Sequence, residues 1–115
     1  MYYSYDVSRC FICSEKSTYI LEWYGLNQYG EKPIVVREIG ACSNFRHIVE
    51  SAKIGYDDFG KMDGIVDYET LDREHPKLTD LVNEANQHGV HEEVLKKAQS
   101  LIDMELSPNQ LLFSF

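Results

Sequence analysis

Thr18-Tyr19-Ile20-Leu21-Glu22-Trp23-Tyr24 decides the fold of this 115-residue chain. On an extended backbone, Tyr19, Leu21 and Trp23 share one face, while Thr18, Ile20, Glu22 and Tyr24 share the other. Three large apolar groups on one side predict a strand laid over a core. Downstream, Asn27 to Lys32 is rich in turn-forming residues, and Ile34 to Ile39 is β-branched up to Gly40. Upstream, Tyr3, Tyr5 and Val7 alternate with Ser4, Asp6 and Ser8, and the period continues through Phe11 and Cys13. Ser14-Glu15-Lys16-Ser17 is the expected turn. The first forty residues therefore predict a three-stranded antiparallel meander.

The period changes after Gly40. Phe45, Ile48, Val49 and Ala52 keep helical spacing, with Ser43 as the expected cap and Gly55 as the expected end. Residues 56–75 show no clear period, which predicts a long surface loop with a short strand at Ile65-Val66. Pro76 opens a second helix on Leu78, Leu81, Val82 and Ala85, and Gly89 closes it. A third helix follows on Val94, Leu95, Ala98, Leu101, Ile102 and Leu106, with His91 as its cap. Ser107-Pro108-Asn109 breaks it, and Leu111 to Phe115 predicts a last strand rejoining the sheet. The expected fold is one α+β domain over residues 1–115: an antiparallel sheet, built from the meander and a C-terminal strand, packed against about three helices.

Hydrophobic residues make up 43% of the chain and charged residues 26%, an ordinary balance for a globular domain. The net charge is −8. Residues 1–56 are neutral, whereas 57–74 hold seven acids against Lys61 and Arg73. This field disfavours nucleic acid and favours a basic partner. No basic, apolar leader opens the sequence, and no apolar run is long enough to span a membrane. With three cysteines, an odd number, a cytoplasmic protein with reduced thiols is expected.

Chemistry is sparse. No GxGxxG, P-loop, GxSxG or HExxH is present, and the acidic stretch does not fit an EF-hand register, so no enzyme is expected. Cys10-Phe11-Ile12-Cys13, with Cys42 and His47, offers the donors of a zinc site. Against it, residues three apart on a strand point to opposite faces, and nothing between the two thiols favours a turn. A CxxC redox pair would need a helix to follow it, and a turn is expected instead. A Cys42–His47 nucleophile and base lacks an orienting third group. His88 and His91, with Glu92 and Glu93, suit capping and solvation.

The leading functional expectation is a non-enzymatic binding protein, needing no cofactor or metal. Asp57, Asp58, Asp63, Asp67, Glu69, Asp72 and Glu74 would neutralise a basic protein partner, as an inhibitor or immunity protein masks a nuclease toxin. Tyr2, Tyr24 and Tyr29, among the aromatics crowding residues 1–30, would add contact area. The alternatives are a zinc-binding regulatory module using Cys10, Cys13, Cys42 and His47, and a small enzyme of unknown reaction.

Overall fold

The computed structural model describes residues 6–26 and 33–106, excluding the side chains of 26, 105 and 106. Its elements are β1 (Tyr19–Leu26), β2 (Pro33–Ala41), α1 (Phe45–Phe59), β3 (Gly64–Asp67), α2 (Pro76–His88) and α3 (Glu92–Leu106). The three strands form an antiparallel sheet in the order β2-β1-β3. The chain is thus α+β, with the expected three helices.

The alternation in β1 sets the layers. Leu21 lies between Ile39 of β2 and Ile65 of β3, and Tyr19 lies beside Ala41. These side chains and Trp23 are fully buried. Phe45, Ile48 and Ala52 of α1, with Leu78, Val82 and Ala85 of α2, close over that face. Helix α3 packs on α1 and α2 rather than on the sheet, adding Ala98 and Ile102 as a further layer. The register shifts between Trp23 and Tyr24, and Tyr24, on the opposite face from Trp23, is exposed.

Polar side chains fix the joints. Asn83 on α2 accepts from the Met62 N–H at 2.9 Å and donates to the Met62 carbonyl at 3.0 Å, holding the turn before β3. Gln99 on α3 accepts from the Phe45 N–H and donates to the Ser43 carbonyl, both at 3.1 Å, which satisfies backbone groups at the start of α1. Trp23 Nε1 donates to the Gly60 carbonyl at 3.0 Å.

Several expectations are corrected. In the described sheet the third strand comes from the acidic stretch, at Gly64–Asp67. Met1 to Tyr5 and the expected strand at 111–115 lie outside the described residues. Residues 6–18 are not a strand through Phe11 and Cys13; they turn back on themselves between Arg9 and Lys16, which form an isolated antiparallel bridge. Residues 56–59 belong to α1 rather than to the expected loop, and the short strand expected at Ile65-Val66 is β3. Asn44 caps α1 in place of Ser43, accepting from the Arg46 N–H at 3.0 Å. The helix ends at Gly60, whose φ of 78° suits a residue without Cβ. Gly55 is instead buried mid-helix against the Trp23 ring.

Candidate metal centre

The N-terminal segment folds as a small knuckle. The Cys10 N–H donates to the Glu15 carbonyl at 2.7 Å, and the Ser14 N–H donates to the Cys10 carbonyl at 2.9 Å. Ser14 closes the turn with φ 64°, a left-handed conformation that costs a side-chain-bearing residue about 1–2 kcal/mol. The knuckle brings Cys10 and Cys13 to the same side, which a strand could not do. The Phe11 N–H then donates to the Gly40 carbonyl at 3.1 Å, docking the knuckle on the end of β2.

Gly40 makes that docking possible. A Cβ there would lie 2.5 Å from the Val7 carbonyl oxygen and 2.7 Å from that of Arg9, and would also strike the Ser17 hydroxyl. Gly40 alternates with the core residues Ile39 and Ala41, so the knuckle covers the face of the sheet opposite the helices. Two residues beyond Gly40, Cys42 follows the last residue of β2. His47 stands in the first turn of α1.

These elements gather four donors. The thiol sulfurs of Cys10, Cys13 and Cys42 and a ring nitrogen of His47 all lie within 4.8 Å of one another. Cys42 Sγ is 3.3 Å from His47 Nδ1. Bond lengths of about 2.3 Å to sulfur and 2.0–2.1 Å to nitrogen imply ligand separations of about 3.8 and 3.6 Å in a tetrahedron. The cluster therefore needs only small side-chain movements to close on a zinc ion. Cys10 and Cys42 are buried, whereas Cys13 and His47 are half-buried. Among the described residues, no other group of three or more such donors converges.

The backbone prepares the site for charge. Burial pushes the Cys10 thiol up, but the N–H groups of Cys13, Cys42 and Ile12 and the Cys13 side chain together hold it below its usual value. Cys42 moves the other way. Burial and the neighbouring Cys10 and Cys13 side chains push its thiol up to about 12, against the opposing N–H of Asn44. Three sulfurs packed without a cation cannot all ionise, and a divalent ion removes that conflict.

The seven acids do not form one surface. Asp58 pairs with Arg37 at 2.5 Å. Asp63 accepts from the Tyr24 N–H at 2.7 Å. Asp67 pairs at 2.5 Å with the buried His75, which stands edge-on to Tyr19. Glu69 meets Lys16 at 3.2 Å. Asp57, Asp72 and Glu74 are exposed. Glu74 and Asp63, with Glu22, Tyr24 and Asp80, line a concavity of about 170 Å³. Burial raises the Glu22 carboxyl, the Tyr24 hydroxyl opposes that shift, and Glu38 and Glu74 add to it. Tyr2 and Tyr29 lie outside the described residues. His88 and His91 are exposed at the ends of their helices.

A strand through Phe11 and Cys13 would point Cys10 and Cys13 to opposite faces, so the convergence of the four donors was not expected. The usable signal was the polar run Ser14-Glu15-Lys16-Ser17 directly after Cys13, which lets the thiols sit inside a reversal rather than before one. No helix of the described chain is long and apolar enough to cross a membrane. A scan against protein-family models finds no match, and searches of the curated proteins and of the solved structures find none either.

Proposed function

We propose that this chain is a non-enzymatic zinc-binding module in which Cys10, Cys13, Cys42 and His47 hold one structural ion. The observation that carries this reading is the convergence of four donor atoms within 4.8 Å from three separate parts of the chain. Three sulfurs and one imidazole nitrogen match zinc in softness and number. Four protein ligands leave no position for water or substrate, which is the arrangement of a structural site rather than a catalytic one. The ion ties the knuckle, the end of β2 and the first turn of α1 together. Cobalt titration of the reduced protein tests this. Thiolate-to-cobalt charge transfer and tetrahedral visible bands saturating at one equivalent are expected, with displacement by zinc. Octahedral, pale spectra at every ratio would count against the site.

A second reading concerns the partner. The concavity between Glu22, Asp63, Glu74 and Asp80 supports recognition of a basic protein, in the manner of an inhibitor or immunity protein. Replacing Glu22, Glu74 and Asp80 by Gln, Gln and Asn as a set is expected to abolish salt-sensitive capture of a basic partner. Unchanged capture would rule out charge-based masking.

A further inference from the structure

Residues 6–18 hold their place by unusual means. The main hydrophobic core begins at Tyr19 and takes no side chain from this segment. Cys10 is buried, but among the sulfurs of the metal centre and not in that core. At Gly40 the segment meets the sheet through polar atoms: the Val7 and Arg9 carbonyls and the Ser17 hydroxyl lie over the glycine. Two hydrogen bonds from the segment reach β2, Phe11 N–H to the Gly40 carbonyl and Thr18 N–H to the Ala41 carbonyl. The Lys16–Glu69 ion pair is exposed on both sides and contributes little.

Ordering thirteen residues of backbone costs more than a few such hydrogen bonds return. On that face the apolar side chains buried outside the main core are, among the described residues, Ile20 and Val66, too few to offset the ordering of thirteen residues. Besides these bonds and that from the Tyr68 N–H to the Thr18 carbonyl, the four-donor cluster joins Cys10 and Cys13 of the segment to Cys42 and His47 of the folded body. Metal binding supplies the free energy of ordering where a preformed apolar contact is lacking.

We infer that residues 6–18 form a metal-latched strap, clamped over Gly40 when zinc is bound and released as a unit when it leaves, while the sheet and helices stay folded. This inference rests on the metal-centre reading and extends it. Removing the ion would not unfold the protein. It would uncover the face of the sheet opposite the helices at Gly40 and withdraw the exposed Phe11 and Ile12 from their fixed position. Zinc availability then controls which surface the molecule presents.

Hydrogen exchange of the full chain, followed by mass spectrometry, tests the latch with zinc bound and after chelation under reducing conditions. Intact mass before the exchange establishes whether zinc is bound. Chelation is expected to speed exchange across 6–18, including the Phe11 amide, by about a hundredfold or more, while β1 and α1 change by less than about threefold. The Cys13→Ser variant, altered at a half-buried ligand outside the core, is expected to reproduce the chelated pattern with zinc present. Zinc bound but every segment speeding up together would overturn the latch and leave the metal centre standing. Zinc bound with 6–18 unchanged on its removal would do the same. No zinc in the intact mass would overturn both.

Discussion

Cys42 Sγ and His47 Nδ1 lie 3.3 Å apart across the cap of α1. They are five positions apart, too far to meet as neighbours on one helix face. They meet because Cys42 is not on the helix. It follows β2, and Asn44 turns the chain into α1 with ψ 118° before helical geometry begins. The two donors therefore face each other from a strand end and a helix start, both anchored to the core through Ala41 and Phe45. That anchoring holds half of the four-donor cluster in place. The other half arrives on the knuckle.

Zinc binding should release protons. With the Cys42 thiol pushed up to about 12, the metal-free site keeps its proton at neutral pH, and the ion must displace it. Affinity is expected to fall at least about tenfold per pH unit between pH 8 and 6. Calorimetric titration in buffers of different ionisation enthalpy checks this, and a buffer-independent heat would contradict it. In the metal-free protein the raised value has the opposite consequence. The unfolded chain ionises Cys42 near 9 and the folded chain only near 12, so stability falls across that window.

Glu22→Gln should stabilise the fold at neutral pH. Burial raises the Glu22 carboxyl, and Glu38 and Glu74 repel its charge, so the folded state pays for ionisation there. A raised carboxyl favours folding below its ordinary value of 4.5 and loses that advantage as pH rises through the folded value. The amide oxygen still accepts from the Tyr24 hydroxyl, which bonds Glu22 at 3.1 Å. Thermal melts are expected to show the variant above wild type at pH 7 and the gap closing below about pH 4. A variant less stable at pH 7 would contradict the electrostatic reading.

Gly55→Ala should destabilise although it sits inside a helix. Alanine gains about 1 kcal/mol of helix propensity over glycine. The new methyl, however, would strike Cζ2 of Trp23 and lie 2.5 Å from its Cη2, in a ring with no exposure. Overpacking of this kind costs about 1–3 kcal/mol, so a net loss of up to about 2 kcal/mol in denaturant unfolding is expected. A gain would mean that Trp23 can shift.

Asn83→Ala removes two hydrogen bonds at once and strands the buried Met62 N–H and carbonyl. A loss of about 2–4 kcal/mol is expected from urea unfolding, larger than for an exposed polar truncation. A loss below about 1 kcal/mol would show that water replaces the side chain.

The strand at 19–24 and the three helices were legible because each has a one-sided apolar pattern, and such a pattern survives any tertiary context. The Cys10–Ser14 knuckle was not. Alternation at Tyr3, Tyr5 and Val7 extends by period into Phe11 and Cys13, although backbone hydrogen bonds at Cys10 and Ser14 decide the local structure and carry no hydropathy signal. The strand at Ile65-Val66 was visible, but its pairing with β1 was not, because four residues contain too few side chains to specify a neighbour. The four metal donors were named from their chemistry alone. Their convergence depended on Gly40, where the absence of a side chain lets two chain segments touch.

The most direct test of the metal centre is the intact mass of the reduced, folded protein under non-denaturing conditions, with one equivalent of zinc. One zinc ion bound per chain is expected, lost when Cys42 is replaced by Ala and largely lost when His47 is. A metal-free mass in the wild-type protein, or equal zinc uptake by the Cys42→Ala variant, would contradict the assignment of Cys10, Cys13, Cys42 and His47 as a single site.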